Sequence, residues 1–94
     1  MLQIAIIGLG TLGIRMLEEL AESDAELIII DKDEEIVEQY KKFATAPYIL
    51  DATNENALQE VISKDLDVAI IDMSNNFEAA IMTTNYLHKL GIKK

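Results

Sequence analysis

An apolar run of Leu2, Ile4, Ala5, Ile6 and Ile7 breaks into Gly8-Leu9-Gly10-Thr11-Leu12-Gly13, and no other feature of the sequence restricts the fold so tightly. A helical pattern follows, and Glu26-Leu27-Ile28-Ile29-Ile30-Asp31 closes the unit. This is a strand, a tight turn, a helix and a second strand ending in an acid. Each glycine has its own reason: Gly8 permits the turn off the strand, Gly10 lets backbone approach a pyrophosphate, and Gly13 lets the helix pack close to the sheet. Free N–H groups at the start of that helix, together with its dipole, favour negative charge. Asp31 lies 21 residues beyond Gly10, about where ribose hydroxyls need an acceptor. Strand, glycine turn, helix and acid together read as a nucleotide-binding βαβ unit rather than an empty structural turn.

Charge narrows the partners. The 94 residues carry 17 acids against 8 bases, a formal charge of -9, which repels nucleic acid and anionic lipid. With no cysteine, a disulfide framework, a thiolate metal site and a thiol nucleophile are all excluded. No apolar run approaches the ~20 residues that span a bilayer, so no direct membrane insertion is expected and any membrane association comes through a partner. Aromatic residues are few, so the core of this single domain, residues 1–94, must be aliphatic.

Along the chain, the first helix is expected from about Thr11 to Glu22, with Leu12, Met16, Leu17 and Leu20 inward. Asp33 is a good N-cap for a second helix that buries Ile36, Val37, Tyr40 and Phe43. Pro47 marks the start of a third strand, Tyr48-Ile49-Leu50. A short helix through Ala57, Leu58, Val61 and Ile62 follows the turn Asp51-Ala52-Thr53-Asn54. Val68-Ala69-Ile70-Ile71 is a fourth, continuously apolar strand, and a last helix runs from Phe77 to Leu90 and ends at Gly91. Four alternations of strand and helix give a Rossmann-like α/β fold, a three-layer αβα arrangement around an open parallel sheet ordered 3-2-1-4. The strand ends at Gly8, Asp31, Asp51 and Asp72 then share one neighbourhood. A complete dinucleotide fold adds further strands, so the unit is read as truncated after its fourth helix, with strand 4 an edge.

The last helix is apolar on two sides. Phe77, Ala80, Ile81, Thr84 and Leu87 make one face and Ala79, Met82, Tyr86 and Leu90 another. One face is expected on the sheet and the other, through Met82, Tyr86 and Leu90, at a subunit interface.

With the glycine motif, the acid after strand 2, Asp51-Ala52-Thr53 after strand 3, and Asn75-Asn76 leading into a helix that contains Thr83-Thr84, the sequence resembles the KTN (TrkA-N, or RCK) domains. These are cytoplasmic nucleotide-binding regulators of potassium channels and transporters. The resemblance covers nearly the whole chain. It implies that Gly8, Gly10 and Gly13 lie under the phosphates of NAD(H) or ATP/ADP, with the N–H groups of Thr11 and Leu12 donating. It implies that Asp31 accepts from the ribose hydroxyls with Lys32 beside it, that Asp51 and Ala52 border the adenine, and that Ser74 and Asn76 lie near the phosphates or the second ribose. It further implies a homodimer or higher ring assembled through the last helix, peripheral to the membrane through a channel or transporter subunit.

Two positions depart from the family pattern. Thr11 stands where many such domains carry an Arg, and Asp72 where small apolar residues are usual. An unpaired carboxylate beside a pyrophosphate costs binding energy. An acid at this place also resembles one that helps bind cations in calcium-gated RCK domains, but a lone carboxylate is a poor cage for an ion that wants six to eight oxygens. No metal site is therefore expected, and a solvated or capping acid is the simpler reading. His88, the only histidine, sits late on the last helix and reads as a surface or interface residue, so no catalytic residue is assigned. Two alternatives stay open: a small assembly module without strong ligand binding, and a fragment of an NAD-dependent oxidoreductase.

Overall fold

The computed structural model describes residues 2–73 and 76–92. Four strands, β1 (Gln3–Ile7), β2 (Glu26–Asp31), β3 (Ala46–Ile49) and β4 (Val68–Ile71), form one parallel sheet in the order β3-β2-β1-β4. Between and after them run α1 (Thr11–Leu20), α2 (Glu34–Tyr40), α3 (Glu55–Val61) and α4 (Phe77–Lys89), with a single 3-10 turn over Lys41–Phe43. The expected Rossmann-like topology is the one observed. Parallel pairing requires helical crossovers, and residues alternate between the two sheet faces. Ile4, Ile6, Leu27 and Ile29 therefore pack with Leu17 and Val37 from α1 and α2, whereas Ala5, Ile7 and Ile30 pack with Leu58 and Leu87 from α3 and α4. Ile6, Ile7, Ile29 and Ile30 are fully buried, and each such side chain gains about 1.5–3 kcal/mol from leaving water.

The structure departs from expectation in four places. α1 ends at Leu20, and Leu12 is 56% exposed rather than in the core. Leu17 is buried with Met16 and Leu20 partly buried on the same cluster, and Gly13 takes the place nearest β1, where a Cβ would meet the Gly8 carbonyl. β3 begins at Ala46, one residue before Pro47, which pairs opposite Ile29. That is tolerable because β3 is an edge strand, where a missing N–H can face away from its neighbour. α2 closes with the 3-10 turn, which still delivers Tyr40 and Phe43 to the core. In α4 the faces are differently shared out. Ala79, Thr83 and Leu87 are buried, with Tyr86 and Leu90 packed on the same core cluster, while Phe77 is 80% and Ile81 54% exposed. Tyr86 and Leu90, expected with Met82 at an interface, are thus partly buried against the domain's own core. Thr83 is fully buried, whereas Thr84, expected on one of the two apolar faces, is exposed.

Candidate functional site

A single turn of backbone after β1 positions the site. Gly8 donates its N–H to the carbonyl of Ile30 at 2.8 Å and adopts φ +98°. A Cβ there would stand 2.1 Å from the carbonyl oxygen of Asp72, so both the conformation and the space demand glycine. At Gly13 a Cβ would stand 2.3 Å from the carbonyl oxygen of Gly8, which is the close helix–strand contact expected of this position.

Asp31, the last residue of β2, holds the turn from one side. Its Oδ2 accepts the N–H of Leu9 at 2.8 Å and its Oδ1 accepts the N–H of Asp33 at 2.9 Å. The carboxylate is fixed at the lip of the sheet by two short bonds and keeps further lone pairs for a ligand. Asp72, immediately after β4, holds the turn from the other side: its Oδ2 accepts the N–H of Gly13 at 2.8 Å. The other three helices have side-chain caps of their own, from Asp33 to Glu35, Asn54 to Ala57 and Asn76 to Ala79. Gly10, the N-cap of α1, can offer none, and Asp72 supplies the missing acceptor from 59 residues away.

Beyond the carboxyl ends of the strands lies a cleft of about 460 Å³, within the range of small-ligand sites. Gly8, Gly10, Asp31, Lys32, Asp51, Ala52 and Asn76 all line it, as the sequence predicts. Ile36, Leu50 and Met73 add apolar wall. Asp51 is exposed and accepts both the hydroxyl of Thr53 at 2.6 Å and its N–H at 2.9 Å. Those bonds, the hydroxyl first, hold its carboxyl below the usual carboxylate range, with a smaller contribution from the Lys32 ammonium. Thr11, Leu12 and Gly13, at the start of α1, do not line the cleft. Asn76 uses its side-chain oxygen to cap α4, which leaves its amide nitrogen for other partners. Ser74 lies outside the described residues. The apolar wall of Ile36, Leu50 and Met73 is among the lining that sequence reasoning did not assign to the site, because an apolar residue looks the same whether it faces a cleft or the core.

The family model of the TrkA-N domain matches residues 4–94. The chain belongs to the TrkA-N family. Ktr system potassium uptake protein C of Bacillus subtilis is 34% identical over 90 residues, 96% of this chain and 41% of that protein. Ktr system potassium uptake protein A of the same organism is likewise 34% identical over 90 residues, 96% of this chain and 40% of that protein. The protein A of Vibrio alginolyticus is 28% identical over 91 residues, 97% of this chain and 41% of its own length. This TrkA-N chain thus spans about two-fifths of the curated relatives it matches.

Proposed function

We propose that this domain is a cytoplasmic, nucleotide-sensing regulator of potassium transport that binds NAD(H) or an adenine nucleotide, ATP or ADP, in the cleft beyond the strand ends. The observation that carries the reading is the Asp31 carboxylate, fixed by Leu9 and Asp33 at the rim of a 460 Å³ cleft whose other wall is the glycine turn. An acid so placed suits vicinal ribose hydroxyls and opposes a 2′-phosphate, which favours NAD(H) over NADP(H). Similarity to potassium uptake proteins supports a sensor over an oxidoreductase. His88, the sole histidine, lies beside a separate small hollow with Ala69 and Thr84 and not in the cleft, so it is out of reach of a ligand there. Among the described residues, no helix is long and apolar enough to cross a membrane, and the domain is proposed to meet the bilayer through a transporter subunit.

Thermal shift and calorimetry with adenosine, ADP and NAD test the ligand reading, since a ligand that binds only the folded chain raises its midpoint. Binding of at least one of them, lost or weakened in Asp31→Ala, is the expected result. Failure of all three on the unaltered chain and on Asp72→Ala overturns it. Self-association is proposed through the outward face of α4, where Phe77 and Ile81 leave apolar surface that a second copy of the chain would cover. Ile81→Glu is expected to shift the sedimentation profile to monomer while leaving the thermal midpoint nearly unchanged; an unaltered profile removes this face from the interface.

A further inference from the structure

Among the described residues, four carboxylates line the cleft, Asp31, Asp33, Asp51 and Asp72, against one cation, Lys32. The first three bond within the β2 and β3 end of the site, to Leu9 and their own following residues. Asp72 is placed differently. Its Oδ2 takes the N–H of Gly13 and lies 2.6 Å from the point where a Cβ on Gly10 would stand. The open surface over Gly10 and the amides at the start of α1 are what a bound phosphate group would draw upon. In this structure the chain's own carboxylate is on that surface, with the bond length of a charge-assisted contact.

We propose that Asp72 is the specificity-determining residue of the cleft: its carboxylate holds the place of a ligand phosphate, so a phosphorylated ligand enters only by displacing it from Gly13. The inference rests on the nucleotide reading above and deepens it. A phosphate drawn over Gly10 to the amides at the start of α1 would lie against the Asp72 carboxylate, and two anions at that range repel strongly. The penalty therefore falls on the phosphates and spares the nucleoside end, which is served by Asp31 and the turn after β3. Unphosphorylated adenosine therefore binds without regard to Asp72, while ADP and NAD bind more weakly than the glycine turn alone would allow. If Asp72 served only as a cap for α1, its removal would cost stability and leave the ratio of the two affinities untouched.

The test is calorimetric titration of adenosine and of ADP into the unaltered chain, Asp72→Asn and Asp72→Ala. The asparagine variant keeps an oxygen acceptor for the Gly13 N–H, and so retains the cap while removing the charge. ADP is expected to bind about tenfold or more tightly to both variants than to the parent, with adenosine affinity unchanged within about twofold. ADP affinity that stays the same or falls in both variants, or adenosine affinity that rises in parallel with it, overturns the proposal while leaving the nucleotide reading intact. No binding of either compound to any of the three chains overturns both.

Discussion

Asp31 and Asp72 grip the same glycine turn from opposite sides, one at the tip of β2 and the other at the tip of β4, each with a carboxylate oxygen 2.8 Å from a backbone amide. Their consequences for a ligand are opposite. Asp31 bonds to Leu9, before α1 begins, and so takes no amide of that helix while lining the cleft. Asp72 bonds to Gly13 within the first turn of α1 and covers that end. The same residue type at the same distance is an aid in one place and an obstacle in the other. What differs is whether the carboxylate lies over the surface that the phosphates of the proposed ligand would also need.

The largest effect comes from breaking the turn itself. Gly8→Ala adds a Cβ into the Asp72 carbonyl and forces a strained φ, and is expected to cost about 3 kcal/mol or more in chemical denaturation, from overpacking and backbone strain together. A variant as stable as the parent would mean that the turn can move, and with it both carboxylates. Next in size is Asp31→Ala, which leaves the Leu9 and Asp33 amides without an acceptor. It should lower stability by about 1–3 kcal/mol and weaken adenosine and ADP alike, by a similar amount. Asp72→Ala should lower stability by about 0.5–2 kcal/mol, the worth of a helix cap, while ADP binding moves the other way. If both aspartate variants weaken ADP, the contrast drawn between them is wrong.

A third carboxylate gives the smallest effect and serves as the control. Asp51 touches neither the turn nor α1 and is held charged chiefly by the Thr53 hydroxyl. Because its folded value is lowered, its stabilising contribution is present at neutral pH and disappears as the pH falls through that value, below the usual carboxylate range. Thr53→Val should raise the Asp51 titration midpoint, seen by carboxyl NMR, and reduce the loss of stability in acid. An unmoved midpoint would transfer the effect to the backbone bond or to Lys32.

Much of this was legible in the sequence, for identifiable reasons. Three apolar runs rich in isoleucine and valine and a shorter one after Pro47, separated by helix-length segments, leave little freedom but a parallel sheet, and chirality then limits its order. Asp31 is legible because its distance from the turn is fixed by one βαβ unit. Asp72 is only half legible. Its place beside the glycine turn follows from the β1–β4 adjacency, but its bond to Gly13 spans 59 residues and depends on helix packing that no local pattern encodes. A usable signal was present, namely a helix starting at Gly10 with no side chain to cap it and an acid at the end of the neighbouring strand. The faces of α4 were not legible, because apolar residues on two sides give the periodicity no unique direction. A buried Thr83 displaced the apolar pattern by a fraction of a turn.

That same threonine ties two distant parts of the molecule together. Its hydroxyl reaches the carbonyl of Ala52 at 3.4 Å and the sulfur of Met73 at 3.7 Å, and both of those residues form the floor on which a ligand would rest. The Thr83 side chain is fully buried, so the contact is made inside the core and not at the surface. A substitution that alters the packing of α4 at this threonine would therefore be felt at Ala52 and Met73 in the cleft lining.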